Sequence, residues 1–252
     1  MPRGLVVAAW ATVIEGPEQA TELCLGGVAT SLPPQCGGPR LRGFAWEDHR
    51  GHFEEASGVR WGEFAVTGRF DGTTFTATKV GPARQESVTD EPDFTTPCPE
   101  PPGGWRVLDP ATTTDESMSA TFEAAAKLPG YADSWIDSSR DAGLDQGEEA
   151  VQDPRKATVN VRVTRDVAGA ERALRKTWGG ALCVTRAEHT DRELRRIQDE
   201  VVDLPGFLSG GASMGRVEVG VVFDDGTLQR WADARYGAGL VRISSVLAPA
   251  SG

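Results

Sequence analysis

His49-Arg50-Gly51-His52 holds two of the three histidines in the 252-residue chain. In a strand or loop this spacing could offer two imidazole nitrogens to zinc. Glu47, Asp48, Glu54 and Glu55 flank the pair and could serve acid–base or metal chemistry. No cysteine lies near them in sequence, and the commoner use of so unspecific a pattern is a polar hairpin tip. His189 stands alone before Thr190-Asp191 and reads as a residue at a helix start. Ser209-Gly210-Gly211 and Ser213-Met214-Gly215 lack the G-x-S-x-G frame of a nucleophile elbow. The Gly pairs at 26–27, 37–38 and 210–211 carry no Lys-Ser/Thr, and no G-x-G-x-x-G occurs. Asp71-Gly72-Thr73 and Asp224-Asp225-Gly226 read as turns, not calcium loops. The expectation is a protein that is not an enzyme, with no cofactor and no metal.

A binding surface is the remaining chemistry. The net charge is −11, so general attraction to nucleic acid or anionic membrane is not expected. Within this acidic chain Arg40-Leu41-Arg42-Gly43-Phe44-Ala45-Trp46 is a cationic and aromatic cluster. Arg40, Arg42, Phe44 and Trp46 form the candidate binding surface. On this reading, alanine at Arg42 and Trp46 leaves the fold intact and abolishes partner capture. Trp46 and Trp61, with Phe44 and Phe53, could instead fill the core of a small barrel, the more frequent role of such residues.

The four cysteines are Cys24, Cys36, Cys98 and Cys183. A Cys24–Cys36 bridge would close a Gly/Pro-rich loop and contribute about 3 kcal/mol in the chain-entropy picture. Cys98 falls in a Pro-rich stretch, and Cys183 falls mid-strand between Leu182 and Val184; their pairing stays open. No C-x-x-C spacing suggests a zinc ribbon. Met1-Pro2-Arg3 and the apolar run after it share some features of a leader, but the β-branched residues suit a strand equally. If the protein is exported, a leader missing from this chain is the expected explanation. No apolar stretch is long enough for a membrane-spanning helix.

These residues need elements to position them. Residues 1–80 read as a β-rich module: a run from Leu5 to Ile14, then Trp61–Phe70 and Thr73–Thr78 around the hairpin signal Asp71-Gly72. Short aromatic and Thr-rich strands suggest a small barrel, OB-like, or a sandwich. Residues 81–104, dense in Pro and Gly, read as a linker. Residues 105–252 read as an α/β sandwich domain. Thr114-Asp115-Glu116-Ser117 caps a helix, and strands and helices alternate after it. The strand Ala157–Thr164 alternates polar and apolar, implying one solvated face. The fold class expected is α+β.

Two resemblances follow from particular residues. Cys24-Leu25-Gly26-Gly27, Pro33-Pro34-Gln35-Cys36-Gly37-Gly38-Pro39, Trp61-Gly62 and Val66–Gly72 make the first half similar to uncharacterised actinobacterial exported proteins and lipoproteins. The lipobox cysteine of such lipoproteins has no counterpart here. Tyr131–Asp137, Val159-Asn160-Val161, Glu193-Leu194 through Gly206 and Arg216–Val219 resemble pro-regions of secreted α-lytic-type serine proteases. That resemblance implies an α/β sandwich. Together they imply a non-enzymatic, secreted or envelope-associated protein that binds an unknown protein or envelope component. The alternatives are an intracellular structural or regulatory protein with reduced thiols, and an enzyme or metal-binding protein using residues 47–55.

Overall fold

The computed structural model describes residue 4 and residues 6–83, 93–141 and 153–250. It is a mixed α+β structure, mostly sheet. In chain order the first strands are β1 (Val6–Gly16), β2 (Gln19–Leu23), β3 (Arg40–Arg42), β4 (Glu54–Ala56), β5 (Val59–Phe70) and β6 (Thr74–Pro82). Then come α1 (Asp115–Ala126), β7 (Tyr131–Asp137), β8 (Thr158–Val163), α2 (Val167–Leu174), β9 (Ala181–Arg186) and α3 (Asp191–Val201). The chain closes with β10 (Phe207–Ser213), β11 (Arg216–Phe223), α4 (Thr227–Tyr236) and β12 (Val241–Pro249). The chain packs as two units, one of residues 1–89, 198–211 and 217–252, the other of residues 90–197 and 212–216.

The first unit is built on β1. Its β-branched, Ala-rich run pairs antiparallel with β2, β5 and β12. β5 and β6 form the expected hairpin: Asp71 Oδ1 accepts the N–H groups of Thr73 and Thr74 at 2.9 and 2.7 Å. Gly72 takes a φ of +103°, which a side chain would disfavour. β6 pairs parallel with β3, and β3 pairs antiparallel with β2. Alternation along β5 sends Phe64 and Val66 into a core with Val13, Leu23, Leu41, Trp46 and Phe75. Each large side chain in it stabilises the unit by about 1.5–3 kcal/mol.

The second unit is a three-stranded sheet, β7-β8-β9, with β8 antiparallel to β7 and parallel to β9. Val159, Val161 and Val163 join a core with residues of α1 and α2, among them Met118, Ala125, Ala170 and Leu174. Thr114 and Ser117 make a reciprocal capping box at α1, and Thr190 and Glu193 do the same at α3.

Three expectations differ from this structure. Residues 105–252 do not form one α/β domain: β11, α4 and β12 belong to the first unit, where β12 pairs with β1. Period and propensity identify a strand but not the sheet edge it joins. The Pro-rich stretch is not a spacer over its described residues 93–104. Trp135 Nε1 donates to Phe94 O at 2.9 Å, Asp137 accepts from Thr96 N at 2.7 Å, and Cys98 is bridged to Cys183. Nor does β8 have a solvated face. Thr158 and Asn160 are buried on the side opposite its valines. Asn160 lies in register with Trp135 and Cys183, the two residues that tie residues 94 and 98 down, so the Pro-rich segment covers that face.

Candidate functional site

The predicted cationic–aromatic cluster is only half a surface. Arg40 and Arg42 are exposed on β3, either side of buried Leu41. Trp46 is 4% exposed and Phe44 is half-buried. The Trp46 ring meets Phe44 and Phe53 edge-on at 4.9 Å in both cases. Its indole N–H donates to Glu15 Oε2 at 3.1 Å, and the Arg60 guanidinium lies 5.5 Å from the ring centroid. Trp46 therefore belongs to the core, and alanine there empties a filled site. The three-residue gap between β3 and the 3-10 turn at residues 46–49 lets the chain swing from edge to interior, which spacing alone does not reveal.

Glu15 organises this region. It also accepts from the Thr21 hydroxyl and pairs with Arg60 at 2.5 Å. Burial pushes its carboxyl upward, but hydrogen bonds from Thr21, Arg60 and Trp46 outweigh it and hold the group below the ordinary range.

The residues near 47–55 line an open cleft of about 720 Å³, with Asp48, His49, His52, Phe53, Glu54 and Trp61 on its walls. His49 stacks on Phe44 at 4.9 Å and leans on Phe64 at 5.0 Å. It behaves as an aromatic packing group. Among the described residues no group of three or more His, Cys, Asp or Glu is arranged to hold a metal ion. The histidine pair thus has no third ligand there.

The Cys24–Cys36 bridge is present, and it closes the β2–β3 connection. The feet of this loop are fixed. Cys24 and Leu25 are buried, Leu23 N donates to Pro39 O at 3.0 Å, and Cys24 N donates to Thr12 O at 2.9 Å. At Gly38 a Cβ would lie 1.9 Å from Leu23 O, so only glycine allows this close approach of the strands. Ala29 N donates to Gln35 O at 2.8 Å, forming an isolated antiparallel bridge. Residues 26–32 are exposed, Leu32 at 78%. The Leu32–Pro33 peptide is cis. Sequence reasoning found the bridge but not its exposed tip. The signal was Pro33-Pro34 inside a short cysteine-closed span, a pairing that stiffens a loop without burying it.

Arg40 starts the strand at the loop's C-terminal foot, so one exposed cation adjoins the loop's exit. A rigid, apolar-tipped loop of this kind can make a specific contact with another molecule. No family model, curated protein or solved structure matches the chain.

Proposed function

We infer that the protein is a non-enzymatic, extracytoplasmic interaction protein whose first unit is a small OB-like barrel bearing the 24–36 loop as its contact element. One observation carries the reading: a disulfide and a backbone bridge hold an exposed loop whose tip residue, Leu32, is 78% exposed. A pre-ordered loop gives up less conformational entropy on binding, and this one exposes Val28 as well as Leu32. The barrel reading draws support from the ladders β1–β2, β2–β3, β3–β6, β6–β5 and β5–β1, which return to their starting strand. Both described disulfides fit an oxidising compartment. Among the described residues no helix is long and apolar enough to cross a membrane.

The test is a photo-crosslinker at position 32 in the native host, with position 203 as an exposed control. Alkylation before reduction is read on the same sample. An adduct from the envelope or supernatant at 32 and not at 203, with the cysteines unalkylated, is expected. A cytosolic species with four alkylated thiols and no adduct overturns the reading.

A further inference from the structure

The 24–36 loop has the physical form of a peptide substrate held in place. Its arms are fixed at three levels: Leu23 to Pro39 at the foot, the Cys24–Cys36 bridge, and Ala29 to Gln35 below the tip. Beyond the last level lie Thr30, Ser31, Leu32, Pro33 and Pro34. The segment Val28–Leu32 is exposed along its whole length. Five residues reach at most about 17 Å, and these bend at Ser31 and Leu32. That is too short to extend a sheet edge usefully, but it suits a cleft that grips a few residues on either side of one peptide bond. Such clefts read main-chain amides and carbonyls, with pockets for alternate side chains.

The chemistry of the tip excludes two bonds. Leu32–Pro33 and Pro33–Pro34 have no N–H on the residue that would leave. Ser31 Oγ donates to Pro33 O at 2.9 Å and holds Ser31 across the tip. Thr30 and Leu32 are both exposed, on either side of Ser31, where the chain bends. Of the bonds left, Thr30–Ser31 lies between the Ala29–Gln35 bridge and the Ser31 hydrogen bond, which would offer Thr30 to the primary specificity pocket and Leu32 to a pocket on the leaving side. Thr30 is small and β-branched, which calls for a shallow pocket.

We propose that the loop is a substrate-like inhibitor of a serine endopeptidase whose primary pocket takes small side chains, with Thr30 as the specificity residue. The proposal rests on the loop being the contact element, as inferred above. Its advantage over an ordinary peptide is pre-ordering: the disulfide, the Ala29–Gln35 bridge and the two prolines remove most of the ordering entropy before binding. Hydrolysis at Thr30–Ser31 would add one water across the amide. The new carboxylate and amine would stay tethered, so re-closure, which returns that water, is intramolecular.

The test titrates the oxidised full chain against pancreatic elastase, with a tri-alanine anilide as reporter substrate, and against trypsin. Competitive inhibition of elastase with an inhibition constant below ~1 μM is expected, with trypsin untouched. Thr30→Lys should lose elastase at least about 100-fold and gain trypsin, because the primary pocket sets this choice. Leu32→Asp should weaken inhibition by about tenfold or more at unchanged disulfide pairing. The proposal is overturned if wild type fails against elastase and Thr30→Lys fails against trypsin, or if the chain is cut after Thr30 and lost at a substrate's rate. A crosslink from position 32 to a partner that is not a peptidase also overturns it, while leaving the contact role of the loop intact.

Discussion

Trp46 and Glu15 are joined by an indole N–H to carboxylate hydrogen bond of 3.1 Å across 31 residues of sequence. The bond locks the turn after β3 against the end of β1, and it explains why an aromatic residue beside two exposed arginines is not part of their surface. Trp46→Ala removes the ring and leaves Glu15 with one donor fewer. A loss of about 3–5 kcal/mol is expected in urea unfolding of the oxidised protein, with about 1 kcal/mol for Trp46→Phe. A change below ~1 kcal/mol for Trp46→Ala would return Trp46 to the surface.

Glu15 and Asp137 both have carboxyls held below their ordinary range. At each, burial works upward and hydrogen bonds outweigh it: from Thr21, Arg60 and Trp46 at Glu15, and from Ser139 and Thr96 at Asp137. The unfolded chain therefore binds protons first as pH falls. The stability these groups contribute is complete above the ordinary carboxylate range and is lost as pH drops through their folded-state values. Denaturant midpoints should fall between pH 5 and pH 3, about where carboxylates titrate. The gap between wild type and Glu15→Gln should narrow over the same window. A constant gap would show that the Glu15 charge contributes nothing.

The two disulfides close spans of 12 and 85 residues. Loop-closure entropy then assigns about 3 kcal/mol to Cys24–Cys36 and about 4.6 kcal/mol to Cys98–Cys183. Replacing Cys98 and Cys183 together by alanine should lower the melting temperature more than replacing Cys24 and Cys36. Hydrogen exchange should rise at residues 94–98 in the first variant only. Equal exchange there in wild type and variant would mean that the hydrogen bonds from Trp135 to Phe94 O and from Thr96 N to Asp137 hold the segment without the bridge.

Gly37 and Gly38 are adjacent but should respond differently to alanine. A Cβ at Gly37 meets nothing within 4 Å, whereas at Gly38 it would strike the Leu23 carbonyl. Gly37→Ala should fall within about 0.5 kcal/mol of wild type. Gly38→Ala should destabilise the first unit by more than about 2 kcal/mol and weaken the β2–β3 pairing. Thermal unfolding of both variants checks this, and equal midpoints would show that the loop foot can give way.

Local rules were legible wherever a residue's effect stays within a few neighbours. Asp71-Gly72 makes its hairpin, Thr114 and Ser117 cap α1, and the runs around Val159, Leu194 and Val219 form the elements their spacing implies. The closing of the Gly/Pro-rich span between Cys24 and Cys36 followed from its lack of a ladder of its own. What sequence could not decide is which surfaces meet. β12 completes a sheet with β1, more than two hundred residues away, because edge hydrogen bonds are the same for any strand. Asn160 reads as an outward residue and is buried, because residues 94–98 cover its side of the sheet. Trp46 is buried and Leu32 exposed, a difference that hydrophobicity alone does not make. The ring is buried by a partner 31 residues back, and the aliphatic tip is kept in water by a bridge and a backbone bond that hold its loop away from the core. Period, caps and turns are properties of the chain, but exposure belongs to the packed structure, and a contact surface is defined by exposure.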